Sequence, residues 1–262
     1  MFPPHSSLDM SFDISNVLEQ WDYQPGEIAV RKFIGRDGQE KIQLRVDLGI
    51  LQMNARGRPD GKKPMGQPSL LEFYQLRLRQ HAAARGGDAE GFALSPEDCT
   101  KLQLEALQYH HRSICFLQLS DHAGVKADTE RNLAVFDLVN RHAASPELAW
   151  SLQQFRPQLL MMHTRALATP LLQANDFNGA IRRIEDGMES IREFYRELGR
   201  GDLVEDSHEL ISLEDWLEDV QEKRPLSKRE QLERQLEQAL DLEQYEKAAE
   251  LRDKLRKLQT AE

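Results

Sequence analysis

Two copies of the tripeptide Ser-Pro-Glu, at residues 95–97 and 145–147, are the strongest structural signals in this sequence. Each copy is typical of a helix start, because serine caps free backbone amides, proline suits the first helical position and an acid opposes the positive end of the helix dipole. Apolar residues at helical spacing follow both copies and continue almost to the C-terminus. The sequence therefore predicts a mainly α-helical protein, with antiparallel helices in a bundle or repeat-like body.

The helical body is predicted to occupy residues 69–200. Ser69 and Glu72 have the spacing of a capping box, which should begin the first helix. Pro157 should interrupt a later helix, because proline lacks the amide hydrogen that a helix interior needs. The predicted helices cover residues 70 to about 84, 96–119, 127–142, 146–172 with the interruption, and 177–198.

Residues 171–184 and 236–251 repeat one pattern within the helical regions. In both, an acidic break is followed by an aromatic residue, Phe177 or Tyr245, and by an alanine three positions later. Small residues at this place let two antiparallel helices approach closely, which resembles tetratricopeptide-like helix pairs. The full signature of that repeat does not recur, so the pattern predicts helical hairpins rather than membership of the repeat family.

Residues 27–68 have a different character, that of a small N-terminal β-hairpin followed by a basic loop. Apolar and polar residues alternate over residues 41–48, and the apolar set is Ile42, Leu44, Val46 and Leu48. This period of two predicts a half-buried strand, which the Asp37-Gly38 turn pairs with an earlier one. Residues 49–53 are predicted to extend the hairpin. A lone hairpin is only marginally stable, so its apolar face should lie on the helices or on a second copy.

The loop at residues 54–68 concentrates positive charge in a chain whose formal net charge is -10. Two interpretations are open, a contact with nucleic acid or phosphate and a solvated connection. We favour the connection, because no aromatic residue is interleaved for stacking on bases and the spacing of a phosphate-binding P-loop is absent. The candidate nucleic-acid contacts are Arg56, Arg58, Lys62 and Lys63.

Two further segments flank the helical body. Residues 1–26 are predicted to be a flexible N-terminal segment with a short amphipathic helix that includes Phe12 and Trp21. Residues 201–226 are predicted to be an acidic linker, which has no Lys or Arg before Lys223. Within this linker, Ser212 should begin a short helix.

The C-terminal region, residues 227–262, is predicted to form a hairpin of two short helices. Ser227 and Glu230 have capping-box spacing, and an apolar stripe follows them. Residues 241–244 interrupt the pattern before a second stripe begins at Tyr245. The alanines of the second stripe let a neighbouring helix come close, and Tyr245 offers an apolar ring with a polar tip.

Residues 245–253, with the sequence YEKAAELRD, resemble the core of the UVR motif. That motif is a helical hairpin known from the B and C subunits of the bacterial excision-repair nuclease, from Clp-type ATPases and from the activator of the bacterial protein arginine kinase. The resemblance is confined to residues 227–262 and implies protein–protein contact, often by pairing with a second such hairpin. The residues predicted to contact the partner are Leu236, Leu240, Tyr245, Ala248, Ala249, Arg252 and Leu255.

The predicted function is that of a non-catalytic protein–protein interaction adaptor, accessory to nucleotide excision repair or to Clp-type proteostasis. The chain has neither the helicase and nuclease domains of the excision-repair subunits nor the Cys-x-x-Cys pairs of the kinase activator. The expected partner is another UVR-bearing protein or a second copy of this chain. The alternative is a nucleic-acid-binding accessory protein that uses the β-hairpin and the basic loop, although the acidity of the chain disfavours it.

No motif for catalysis or for metal binding is evident, so we expect neither an enzyme nor a cofactor. His111 and Cys115 are four residues apart on a predicted helix, but no third ligand is close to them in the sequence. Two cysteines do not make a disulfide scaffold, and neither a secretory signal nor a membrane-spanning run is expected. These features predict a cytoplasmic protein.

Overall fold

The computed structural model describes residues 14–226 and 228–259. The chain divides into two compact units, of which the first extends to Glu214 and the second begins at Asp215. Helices dominate the described residues, and a small antiparallel sheet lies near their N-terminal end. The predicted fold class, mainly α with a helical body, an N-terminal β-element and a C-terminal helical hairpin, is confirmed.

The regular elements follow one another in the order β-sheet, helical body and C-terminal hairpin, after one short helix at the start. The strands are β1 (Ala29–Ile34), β2 (Glu40–Val46) and β3 (Gly49–Asn54). Over the described residues, the α-helices are α1 (Ser15–Glu19), α2 (Leu70–Ala83), α3 (Pro96–Gln118), α4 (His122–His142), α5 (Pro146–Gln153), α6 (Arg156–Gln173), α7 (Phe177–Glu197), α8 (His208–Lys223), α9 (Lys228–Asp241) and α10 (Tyr245–Gln259). Phe12, predicted to belong to the first helix, lies outside the described residues.

The N-terminal sheet has three strands in the order β1-β2-β3, and both pairs are antiparallel. The hairpin prediction is confirmed for β1 and β2, while the residues predicted to extend it form a third strand that turns back on β2. Ile42 lies between Lys32 of β1 and Met53 of β3 in the register of the sheet. Its side chain is fully buried, as the alternating pattern predicts.

The alternation prediction was wrong at the end of β2. Val46 ends the strand with an exposed side chain, and Leu48 lies in the turn to β3 with 92% of its surface exposed. Arg45, predicted to face solvent, is buried because its guanidinium donates hydrogen bonds to the carbonyl oxygens of Asp47, at 2.9 Å, and Gly49, at 3.2 Å. The turn between β2 and β3 thus binds the side chain of Arg45 and leaves that of Leu48 exposed.

Helices cover the apolar face of the sheet, one of the two arrangements that the sequence predicted. The buried cluster between sheet and helices consists of Ile42, Leu44, Met53, Ala55, Cys115, Phe116, Val125 and Ala166. A second cluster joins α2, α3, α4, α5 and the first turn of α6 through residues such as Leu102, Val139 and Leu159. Further buried apolar residues of the first unit, such as Ile184 and Ile191, lie on α7.

The helix starts agree with the sequence at the two Ser-Pro-Glu copies. Ser95 forms a reciprocal capping box with Asp98, and the hydroxyl of Ser145 accepts a hydrogen bond from the backbone of Leu148. The prediction for Ser69 was wrong in detail, because its hydroxyl bonds the Glu72 carboxylate instead of capping a backbone amide. Each of these serines nevertheless precedes the helix that it was predicted to start.

Two helix starts differ from the prediction. Helix α4 begins at His122 instead of residue 127, because Asp121 caps it by accepting a 3.0 Å hydrogen bond from the backbone amide of Gly124. Helix α8 begins at His208, where the hydroxyl of Ser207 accepts a 3.4 Å hydrogen bond from the amide of Leu210. Ser212 therefore lies inside α8 and does not begin it.

The same turn reverses the chain between α3 and α4, between α6 and α7, and between α9 and α10. A non-glycine residue with positive φ follows each helix, namely Ser120 (56°), Asn175 (61°) and Glu243 (57°). In all three turns the next amide bonds the carbonyl five residues back, at distances of 2.7 to 2.8 Å, which defines a Schellman motif. The repeated pattern found in the sequence is thus a repeated turn, and it occurs a third time at Ser120.

The helices of the described residues are all too short or too polar to span a lipid bilayer.

Candidate protein-interaction site

The C-terminal hairpin is formed by α9 and α10, which pack on each other within the second unit. The chain reverses at Glu243, and the amide of Gln244 bonds the carbonyl oxygen of Ala239 at 2.7 Å. The next helix starts at once, because the amide of Ala248 bonds the carbonyl oxygen of Gln244 at 3.0 Å. The connection between the helices is therefore as short as a Schellman turn allows.

The inner face of the hairpin is made of small side chains near the turn. Ala239, Ala248 and Leu251 are 1%, 3% and 4% exposed, and Leu232 and Leu236 pack against them in part. Alanine at facing positions lets the two helix backbones approach closely. The two predicted stripes therefore face each other, and their buried residues hold the hairpin closed.

The closed end of the hairpin, in contrast, presents large apolar side chains to solvent. Leu240 is 39% exposed, Leu242 67% and Tyr245 68%. These three residues, which we call the tip cluster, surround the turn at Glu243 and are separated by five positions at most. Exposed apolar groups concentrated at one end of an otherwise charged element are typical of a contact surface.

The residues predicted to contact a partner fall into two groups. Leu240, Tyr245, Ala249 and Arg252 are exposed, so a partner can touch them directly. Leu236 and Leu255 are half-buried and Ala248 is buried, so these three support the hairpin itself. Leu242 was not predicted as a contact residue, because it lies in the break between the two apolar stripes. Ser227, predicted to cap α9, lies outside the described residues.

The start of α9 is tied to the segment before it by side chains of the second unit. The guanidinium of Arg224 donates a 2.5 Å hydrogen bond to Glu230 in the first turn of α9. The amide group of Gln231 donates a 2.8 Å hydrogen bond to the carbonyl oxygen of Leu226. Both bonds restrict how the chain enters the hairpin.

The comparison with family models gives one match, to the UvrB/uvrC motif (UVR), over residues 227–261. The match covers the hairpin, including the tip cluster, and confirms the resemblance noted at YEKAAELRD. Comparisons with curated proteins and with solved structures found no match for the chain. The C-terminal hairpin therefore contains a UVR motif.

The basic loop does not present its predicted cations as one group. Arg58 donates hydrogen bonds from Nε to Glu105 at 2.7 Å and from its terminal nitrogen to Asp60 at 2.7 Å, and its side chain is only 11% exposed. Arg56, Lys62 and Lys63 are exposed. Since two carboxylates already neutralise Arg58, three of the four candidate cations remain available to phosphate.

A buried ionic network beneath this loop was not predicted. The carboxylate of Glu105 has no exposed surface and accepts hydrogen bonds from Arg58, from Arg131 and from the backbone amide of Leu70, at 2.9 Å. It thereby binds the otherwise free first amide of α2. The sequence signal for this network is weak: Glu105, next to Ala106, occupies an inward position of α3 at which an apolar residue is usual.

A second buried pair continues the network along α3. Arg112 bonds the Asp128 carboxylate with two hydrogen bonds, at 2.8 and 2.6 Å, and the carbonyl oxygens of Asn54 and Gly57 at 2.9 and 2.7 Å. Burial raises the pKa of Asp128, although the guanidinium of Arg112 opposes this shift. The pair fastens the end of β3 and the basic loop to α3 and α4.

His111 and Cys115, the two residues considered as metal ligands, both lie on α3. Among the described residues, no group of three or more His, Cys, Asp or Glu side chains has the arrangement of a metal site. Cys115 is buried in the cluster below the sheet, and burial raises the pKa of its thiol to about 12. His163 lies 3.0 Å from the hydroxyl of Thr129, and burial lowers the pKa values of His110, His111 and His163.

Proposed function

We propose that this protein is a non-catalytic adaptor that captures a protein partner through the tip cluster of its C-terminal hairpin. The observation that carries the proposal is the exposure of Leu240, Leu242 and Tyr245 at the closed end of a hairpin that matches the UVR motif. Buried apolar anchors supply most of the affinity of a small interface, so three adjacent exposed ones are its natural centre.

The partner chemistry follows from the hairpin surface. A complementary partner offers an apolar cavity or stripe that covers Leu240, Leu242 and Tyr245 and excludes water from them. Another UVR-bearing hairpin meets these requirements, and so does a second copy of this chain. The family of the motif favours an accessory role in nucleotide excision repair or in Clp-type proteostasis, in the cytoplasm.

Affinity capture with the full chain tests this proposal. The test variant is Leu242→Asp, which places a charge within the tip cluster, and the matched control is Leu48→Asp, a fully exposed leucine of the β2–β3 turn. We expect specific proteins to be captured by the wild type and by the control but lost with Leu242→Asp. Capture of the same proteins by all three would contradict the proposal. Sedimentation of the purified variants separately measures self-association.

Nucleic-acid binding through the basic loop is the second candidate function. Arg56, Lys62 and Lys63 are exposed on one short loop, which is the observation in its favour. The net charge of -10 and the engagement of Arg58 count against it. A mobility shift at low salt that disappears in the triple alanine variant of these three cations would support this function, and no shift would exclude it.

A further inference from the structure

A cavity of about 330 Å³ opens on the surface of the helical body, between α3, α4 and the joint of α5 and α6. Its apolar walls include Leu107, Phe136, Leu152, Phe155 and Leu159. The volume lies within the range of small-molecule sites, about 300–1,000 Å³. The cavity lies entirely within the first unit and is separate from the hairpin in the sequence.

The joint between α5 and α6 forms one side of this cavity. Helix α5 ends at Gln153, and Pro157 occupies the first turn of α6, where its missing amide hydrogen removes no helical hydrogen bond. Phe155 stands in the joint and remains 49% exposed. Leu152 precedes the joint and Leu159 follows it, and both line the cavity.

Hydrogen bonds hold the cavity walls in place. The side-chain amide of Asn132 donates to the carbonyl oxygen of Ala106 at 2.9 Å, which fixes α4 against α3. Gln153 donates to the carbonyl oxygen of Phe136 at 2.8 Å, and Arg156 to the carboxylate of Asp137 at 2.8 Å, which fixes the joint against α4. The cavity is therefore preformed, as binding sites for small molecules usually are.

The polar groups of the lining determine what the cavity can hold. Its polar lining residues are Gln103, His110, Asn132 and Gln158, and it contains no Lys, Arg, Asp or Glu. The side chain of Asn132 is already hydrogen-bonded, whereas the side chains of His110, Gln103 and Gln158 make no hydrogen bond with the part of the chain that the structure describes. Burial lowers the pKa of His110, with the neighbouring His111 acting in the same direction, so its ring is neutral near pH 7 and offers one donor and one acceptor.

We propose that this cavity binds a small, uncharged and mainly apolar molecule with one hydroxyl, amide or carbonyl group, which hydrogen-bonds the ring of His110. A charged ligand would lose its hydration without gaining an opposite charge, since the lining offers none. A purely apolar ligand would leave the polar groups of the rim unused. The proposal is independent of the hairpin function, because none of its residues belongs to the second unit.

The probe for the test is 2-naphthol, which is uncharged at neutral pH and carries one hydroxyl. 2-Naphthoate keeps the same rings but adds a negative charge. Calorimetric titration of the full chain should give saturable one-to-one binding of 2-naphthol and at least about tenfold weaker binding of 2-naphthoate. Absence of saturable 2-naphthol binding, or equal affinity for the two probes, overturns the proposal.

Variants connect the binding to the cavity. Leu107→Arg places a charge at the mouth, and Leu104→Arg is the matched control, an exposed leucine of α3 outside the lining. We expect the first to abolish 2-naphthol binding and the second to leave it unchanged. His110→Phe should weaken binding by about three- to tenfold, the effect of one neutral hydrogen bond. If Leu107→Arg instead changes the sedimenting mass and leaves 2-naphthol binding intact, the cavity mouth is a contact between copies and the proposal is wrong.

Discussion

The guanidinium of Arg58 donates a 2.7 Å hydrogen bond to the carboxylate of Glu105, which has no exposed surface and lies 47 residues further along the chain. The same carboxylate receives Arg131 of α4 and the first amide of α2. One buried acid therefore joins the basic loop to three helices. The Arg58–Glu105 pair therefore anchors the basic loop, whose sequence shows only its charge, to the buried interior of the helical body.

Replacing Glu105 by Gln should destabilise the first unit by about 3–5 kcal/mol, because two guanidinium groups lose their shared buried counter-charge. The measurement is urea denaturation followed by circular dichroism. Glu97→Gln is the control, since Glu97 pairs with Lys101 on the exposed face of α3 and exposed pairs contribute little to stability. Similar losses for both variants would show that the network contributes no more than a surface pair.

Arg58→Ala and Arg56→Ala should differ although both remove one cation from the same loop. Arg58→Ala should lower the free energy of unfolding by about 2 kcal/mol or more, because it leaves part of the buried Glu105 charge uncompensated. Arg56 is exposed, so Arg56→Ala should change stability by no more than about 0.5 kcal/mol. Chemical denaturation of the two variants side by side measures the difference, and equal stability would argue that Arg58 is a solvated cation.

Ala248→Leu should loosen the hairpin, whereas Ala249→Leu should not. Ala248 is buried against α9, and overfilling such a site typically costs about 1–3 kcal/mol, while Ala249 is exposed on the same helix. Hydrogen exchange of the amides of α9 and α10 measures the effect locally. Faster exchange in both variants, or in neither, would contradict the assignment of the inner face.

Tyr245→Ala should weaken capture of the hairpin's partner by about 2 kcal/mol, roughly thirtyfold in the dissociation constant, if the ring is an anchor of the interface. Tyr245→Phe keeps the ring and should retain most of the affinity. Titration of the purified partner against both variants distinguishes loss of the ring from loss of the hydroxyl. Unchanged affinity of Tyr245→Ala would remove this residue from the interface.

Cys99 and Cys115 should be unreactive towards a thiol reagent in the folded protein and react fully after denaturation. Both side chains are buried, and burial raises the pKa of Cys115 to about 12, so almost no thiolate is present at mildly alkaline pH. The measurement is a colorimetric thiol titration with and without concentrated guanidinium chloride. Rapid reaction of either cysteine in the native protein would show that its helix opens readily.

The sequence predicts helix boundaries best where neighbouring residues, such as a capping serine or a proline, determine them. The Ser-Pro-Glu copies mark the starts of α3 and α5 correctly, and Pro157 marks the joint between α5 and α6. The start of α4 was missed because its cap, Asp121, follows a left-handed serine rather than the glycine that usually signals such a turn. The strand end at Val46 was missed because Leu48 continues the alternation into the turn.

Contacts between distant residues could not be predicted in this way. Glu105 and Arg112 occupy inward positions of α3. Their burial is favourable only because oppositely charged residues of other elements contact them: Arg58 and Arg131 pair with Glu105, and Asp128 pairs with Arg112. The tip cluster was predicted in part, since helical periodicity identifies Leu240 and Tyr245 but says nothing about Leu242 in the turn between them. A side chain outside the regular elements carries no periodic signal.

The left-handed turn at Glu243 fixes the relative backbone positions of Leu240, Leu242 and Tyr245 in the unbound hairpin. A surface ordered in advance loses little conformational entropy on association, so more of its contact energy is expressed as affinity. Encounter then requires alignment of the preformed tip with its partner surface rather than folding upon binding. The association rate should consequently depend on the orientation of the two surfaces at encounter more than on the helix propensity of the hairpin.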